Sequence, residues 1–310
     1  MLTELTVSEA KTWGDKVFAN VPVADELASH FDHYLSDHDF SHNTRRAVAN
    51  DVRKFALWFT STNGEALTLA RITARDVADF KDYLRRDMAQ AVATVNRGLV
   101  SLRRFLGWLT DQGLIASNPA RKVKELRHQR LAPKGLDRAT VRRLLRELEL
   151  RADTRGHAIM SLLLYTGCRV GDVVELELAD VDTNKKRVTF KHGKGGKERT
   201  TPLPTPARQS LEAYLGTRPP VPSPKLFWGQ RGPLTTRGIR SLCAKYGKLL
   251  GVHLHPHAFR HTMANKFLQD TSNDLVSLAQ ILGHESLQTT RRYAQRSEQQ
   301  LADVAEKLSY

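Results

Sequence analysis

Four polar segments fall where the surrounding pattern predicts burial or a turn, and their residue types suit the handling of an anion. The first is Tyr165-Thr-Gly-Cys-Arg-Val-Gly-Asp172. Its Arg169 follows an apolar helical run and a Thr-Gly break, where an unpaired guanidinium is costly. It either pairs with Asp172, three residues on, or clamps an anion. The second is His192-Gly-Lys-Gly-Gly-Lys-Glu-Arg199, a glycine-rich hairpin tip that can offer Lys194 to a phosphate. It lacks the spacing of a nucleotide P-loop, and basic hairpin tips are commonly just solvated. The third is His253-Leu-His-Pro-His-Ala-Phe-Arg-His261, which sets His257 and Arg260 on one helical face. Its four histidines raise a metal reading, disfavoured because no cysteine lies nearby and the HExxH pattern is absent. The fourth is Leu282-Gly-His-Glu-Ser-Leu-Gln-Thr-Thr-Arg-Arg-Tyr293, with His284 nine residues before Tyr293. Taken alone, a tyrosine after two arginines is an ordinary interfacial residue.

Two groups of elements must position these segments. Leu27, Phe31 and Leu35 recur at four-residue spacing on a first helix. Ser41 precedes a longer one striped with Val48, Val52, Phe55, Ala56 and Phe59. Thr73 can cap a third helix through about Leu84, and a fourth runs from about Ala91 to Leu109 with Val95, Leu99, Leu102 and Leu106 inward. Gly113, Asn118 and Pro119 break the pattern, and Arg121–Lys134 reads as a basic linker or a merely solvated tether. Asp137 can cap the helix Ala139–Glu149, and the helix Thr154–Thr166 is apolar enough to be buried. The period then changes: Arg187–His192 and Arg199–Leu203 read as strands flanking a Gly193–Gly196 turn. Helices resume at about Thr205–Leu215, Thr235–Leu250, Pro256–Gln269, Asp274–Leu282 and Leu287–Ala294, with Pro256 at a helix start and Gly283 at a helix stop. The expected boundaries are an N-terminal extension over 1–22, an all-α domain over 23–115, a basic linker over 116–135, and a second domain over 136–310 ending in an amphipathic tail from about 297.

Of 310 residues, 48 are Lys or Arg and 33 are Asp or Glu, giving a net charge of +15. The charge is uneven: residues 1–40 carry a net of −6 and the remainder +21. A body this basic fits a polyanionic partner such as nucleic acid, or a basic protein that binds none. At 40% hydrophobic and 26% charged, the composition argues against disorder over most of the chain. No apolar run approaches the roughly 18 residues that span a bilayer, so no membrane partner is expected. The first residues lack the basic start and apolar core of a signal peptide. The two cysteines, Cys168 and Cys243, support neither a disulfide framework nor a Cys-based zinc site. A cytoplasmic location is the expectation.

In order and spacing, the four segments together resemble the tyrosine recombinase (phage integrase) family, most closely its compact Xer-like members. The Thr-Gly-x-Arg box matches Thr166–Arg169, with Asp172 at the usual acidic position. The Gly-Lys-Gly-x-Lys-Glu-Arg hairpin matches Gly193–Arg199, the Pro-His-x-x-Arg-His box Pro256–His261, and the Leu-Gly-His box with its tyrosine Leu282–His284 and Tyr293. The resemblance covers about residues 136–296, and the helical unit before it fits the family's core-binding domain. Gly171 departs from the family's common serine.

The resemblance implies a mainly α fold: an N-terminal four-helix SAM-like core-binding domain and an α+β catalytic domain with a small antiparallel sheet, together a C-shaped DNA clamp. It implies a site-specific DNA recombinase. Tyr293 attacks a phosphodiester, forming a 3′-phosphotyrosyl bond and releasing a 5′-hydroxyl, and strands exchange through a Holliday junction. The bond energy is kept, so neither metal nor cofactor is implied. Arg169 and Arg260 would bind the phosphate, and Lys194, with Lys197 as runner-up, would protonate the leaving oxygen. His257 would assist phosphate binding and proton transfer, with a base role toward Tyr293 open to it, and His284 would donate to the phosphate. Candidate DNA contacts are Arg45, Arg46, Arg97, Arg103, Arg104, Arg121, Lys122, Lys124, Lys197 and Arg199. The implied partners are double-stranded DNA with inverted half-sites and further copies of the chain, a dimer on each site and a tetramer in the synapse, with a second recombinase as a further candidate. Rival readings are a type IB topoisomerase-like relaxation activity and a non-catalytic DNA-binding regulator.

Overall fold

The computed structural model describes residues 12–23, 25–127, 135–191, 198–284, 286–291, 293 and 306. The chain divides into two compact units, Met1–Arg130 and Leu131–Tyr310.

The first unit holds helices α1 (Trp13–Val17), α2 (Asp25–Ser36), α3 (His42–Asn63), α4 (Ala74–Arg86) and α5 (Val92–Asp111), with a 3-10 turn at Leu69–Arg71. Side-chain caps set two helix starts. Ser41 accepts from the Thr44 amide, and Thr73 and Asp76 bond reciprocally across the first turn of α4. The core is rich in aromatics: Phe31 meets Phe105 edge-on at 5.3 Å, and Phe55 meets Phe80 at 5.3 Å. One buried charge crosses it. Asp51 accepts from Arg97 at 2.7 Å and from Ser101 at 2.8 Å.

Two segments differ from the sequence expectation. The extension expected over 1–22 is, from Thr12 onward, part of this unit. Val17, Phe18 and Val21 are buried in its core, and Arg53 donates to the carbonyls of Val17 and Ala19 at 2.6 and 3.0 Å. The linker expected over 116–135 is likewise packed through residue 127. Ala120 and Val123 are buried, Asn96 exchanges two 2.9 Å bonds with the Leu126 backbone, and Arg103 donates to Val123 O at 2.9 Å. In both segments burial depends on partners distant in sequence.

The second unit holds α6 (Arg138–Leu150), α7 (Thr154–Thr166), α8 (Val170–Glu175), strands β1 (Val181–Asp182), β2 (Arg187–Phe190) and β3 (Arg199–Pro202), then α9 (Thr205–Thr217), α10 (Thr236–Leu250), α11 (Pro256–Asp270), α12 (Leu275–Leu282) and α13 (Leu287–Arg291). Asp137 caps α6 through the Thr140 amide, as its position predicts. The strands form an antiparallel sheet in the order β1-β2-β3, with Val188 opposite Val181 on one side and Thr201 on the other. α7 is buried along most of its length and packs against α9 and α11, which accounts for its lack of a polar face. The hairpin tip at 192–197, and the tail stripe of Leu301, Val304, Ala305 and Leu308, lie outside the described residues.

Candidate active site

α11 is the hub. Arg260 is 4% exposed, and its guanidinium donates to Gly167 O at 2.5 Å, Leu282 O at 2.9 Å and His284 Nε2 at 2.7 Å. A guanidinium carries five donors, so among the described residues two are left for a further acceptor. Burial, and secondly the charge of Arg169, pull its pKa down to about 10, which still leaves it charged at pH 7. Its two carbonyl partners end or follow helices at left-handed glycines. At Gly167 (φ +61°) an added Cβ would stand 2.7 Å from Leu282 Cδ2. At Gly283 (φ +63°) it would stand 2.7 Å from Arg199 Cδ. Both turns therefore need glycine for conformation and for space.

Arg169 is the N-cap of α8, and its amide donates to Asp172 Oδ2 at 2.8 Å. Among the described residues its side chain pairs with no carboxylate, because Asp172 is bonded to Arg199 instead. Of the two readings left open in the sequence, the side-chain pairing of Arg169 with Asp172 is not the one formed. Arg199, one of the expected DNA contacts, makes an internal tie to Asp172. Its side chain is 11% exposed, stacks 4.5 Å from the Phe190 ring centroid and fills the space over Gly283. At the other end of the hairpin, Lys191 bonds Asp180 at 2.6 Å. Both stems of the hairpin are therefore pinned, while Lys194 and Lys197 between them lie outside the described residues.

His284 sits between two partners. A guanidinium only donates, so Nε2 accepts from Arg260 and the ring hydrogen is on Nδ1, which reaches Thr290 Oγ1 at 2.7 Å.

Tyr293 is 8% exposed and packs with Ala264, Leu268, Leu278 and Leu282. Its hydroxyl lies 3.1 Å from His261 Nδ1. His257 is exposed in the first turn of α11 and stacks on His261 at 6.3 Å. Sequence reasoning missed His261, although it ends the Pro256–His261 box, because its bond with Tyr293 spans 32 residues. Cys168 is buried and its thiol is pushed up to about 12 by burial, so it packs rather than reacts.

Among the candidate DNA contacts, Arg46, Arg104, Arg121, Lys122 and Lys124 are exposed. Others are already engaged: Arg97 with buried Asp51, Arg45 with Phe40 O at 3.2 Å, and Arg103 with Val123 O and, at 3.0 Å, Glu125. Among the described residues no cluster of three or more His, Cys, Asp or Glu is placed to hold a metal ion, and no helix is long and apolar enough to cross a membrane.

Comparison with known proteins places this arrangement. Residues 134–300 match the phage integrase family, and residues 28–113 match the phage integrase N-terminal SAM-like domain. The tyrosine recombinase XerC of Thermodesulfovibrio yellowstonii is 32% identical over 289 residues, 88% of this chain and 92% of the relative. XerC of Bacillus subtilis is 32% identical over 223 residues, 68% and 73% of the two chains. In fold, the chain is similar to the XerH site-specific recombinase in its post-cleavage complex with a palindromic difH substrate. That TM-score is 0.72 at 19% identity, over 97% of this chain and 98% of the other. It is also similar to the Tn1549 transposon integrase bound to transposon right end DNA, at a TM-score of 0.72 and 18% identity over 91% and 99% of the chains. With the family model spanning more than half the chain and its four sequence boxes gathered on one unit, the chain belongs to the phage integrase family and is an Xer-like tyrosine recombinase, a site-specific DNA recombinase.

Proposed function

We propose that Tyr293 is the nucleophile of this recombinase and that Arg169 and Arg260 hold the scissile phosphate. One observation carries the reading: successive residues of α11 serve both needs, Arg260 holding the Gly167 and Leu282 turns while His261 meets the Tyr293 hydroxyl. Arg169 and Arg260 face a site where positive charge exceeds its carboxylate partners, and planar guanidiniums suit the equatorial oxygens of a pentavalent phosphorus. His257, exposed at the mouth of the same helix, assists at the phosphate, and His284 braces Arg260. Lys194 protonates the departing 5′-oxygen. The stems pinned by Lys191 and Arg199 support that role by fixing where the tip begins and ends.

The substrate is double-stranded DNA with inverted half-sites, bound by one copy per half-site and by four in the synapse, in the cytoplasm. The DNA complexes of the XerH and Tn1549 proteins support a DNA substrate. In the first unit Arg46, Arg104, Arg121, Lys122 and Lys124 supply phosphate contacts.

The test is Tyr293→Phe on a nicked suicide duplex. The variant keeps the ring and is expected to bind DNA like the parent while forming no covalent adduct. An adduct formed by that variant would move the nucleophile elsewhere.

A further inference from the structure

The geometry points to His261 as the proton acceptor and positioning partner of Tyr293. This rests on the reading of Tyr293 as nucleophile and extends it to the residue that meets its hydroxyl. The hydroxyl and Nδ1 are 3.1 Å apart, within the reach a general base needs. The two rings stand 5.5 Å apart at 52°, so packing as well as the hydrogen bond fixes where the hydroxyl points. α11 leaves His261 little freedom. Arg260, the preceding residue, is anchored to two carbonyls, and Thr262, the following one, bonds Ala258 O at 2.8 Å and receives the Leu136 amide at 2.7 Å.

The chemistry requires such a group. A phenol has an unperturbed pKa near 10 and is a weak nucleophile at pH 7 until its proton leaves. In cleavage the Tyr293 oxygen–phosphorus bond forms as the phosphorus–O5′ bond breaks. The phenolic proton passes to neutral His261 Nδ1, and O5′ takes a proton from the hairpin acid. In religation each transfer reverses, and His261 returns the proton to the departing tyrosine. No further reactant is consumed. His257 stacks on His261 from one turn earlier, Arg260 adjoins it in sequence, and Arg169 and His284 act on Arg260 across the site.

The experiment is single-turnover adduct formation by the full chain on a nicked duplex, with His261→Ala and His261→Gln beside the parent. Melting temperature and half-site affinity are measured on each protein. Adduct formation is expected to slow about 10²- to 10³-fold in His261→Ala. His261→Gln, which keeps a hydrogen bond but accepts no proton, should recover less than tenfold of that loss. The parent rate should rise with pH through the histidine range and then level. The Ala variant should lack that inflection and climb towards the phenol range near 10. Religation should slow by a similar factor. A His261→Ala rate within threefold of the parent overturns the proposal. So does a slow variant that keeps the parent's pH inflection, or full rescue by Gln, since either makes the residue a spacer. If His261→Ala unfolds, the Gln variant alone decides, by the same pH profile. Failure of the underlying reading shows separately, as an adduct on Tyr293→Phe.

Discussion

Both units bury arginine–carbonyl bonds, and they use them to opposite ends. In the first unit Arg53 and Arg103 tie down α1 and the segment after α5, and buried Asp51 is fully met by Arg97 and Ser101. That polar network is closed. In the second unit Arg260 ties two turns in the same way, yet it keeps two donors and stands close enough to Arg169 for the charges to oppose each other. Asp172 goes to Arg199, so the site is left short of negative charge. A complete network stabilises a fold, whereas surplus cationic donors suit an anion.

The largest expected effect follows from removing the hub. Arg260→Ala should slow adduct formation by at least about 10³-fold, the scale of losing an oxyanion donor. It should also destabilise the second unit by about 1–3 kcal/mol for each orphaned carbonyl, those of Gly167 and Leu282. Single-turnover kinetics and thermal melting separate the two losses. A variant that lost stability but cleaved like the parent would make Arg260 no different in kind from Arg53.

Next comes a matched pair of carboxylates. Asp172→Asn should slow cleavage about 10- to 100-fold, because it loosens both the Arg169 cap and the Arg199 tie. Asp51→Asn should cost the first unit about 1–3 kcal/mol and leave the rate on saturating DNA within twofold. Equal rate losses from the two variants would erase the distinction between a closed and an open network.

Smaller effects concern free anions and the DNA backbone. Sulfate should raise the melting temperature of the parent by a few degrees through binding to the native state, about 2.7 kcal/mol at a hundred times its Kd, and Arg260→Gln should abolish the gain. Replacing exposed Lys122 and Lys124 together by Gln should flatten the salt dependence of DNA binding, with the slope falling by about 0.9 for each phosphate no longer neutralised. An unchanged slope would remove the segment after α5 from the DNA-facing surface.

What the sequence revealed divides along the same line. Ser41, Thr73 and Asp137 were legible as caps because a cap is made within three residues. The β2–β3 hairpin was legible because its strands flank a glycine-rich turn, and Gly283 because a helix stops there. The six-residue α8 and two-residue β1 are too short to show a period. Burial of Val17, Ala120 and Val123 depends on distant surfaces, so those segments read as loose. At the site the sequence offered Arg169 its nearest carboxylate, Asp172, whereas the fold gives that carboxylate to Arg199, 27 residues on. The resemblance left a base role toward Tyr293 open to His257, and the fold sets the Tyr293 hydroxyl 3.1 Å from His261. The boxes disclosed which residues gather, and only the packed chain discloses which side chain faces which.

The most direct test of the account is to locate the covalent bond itself. The full chain is incubated with a nicked suicide duplex in excess EDTA, the adduct is digested with protease and nuclease, and the modified peptide is sequenced by mass spectrometry. The account predicts a nucleotide linked through its 3′-phosphate to Tyr293 and to no other residue, formed without divalent metal. An adduct on another side chain, a 5′-phosphate linkage, or strict dependence on Mg²⁺ would contradict it.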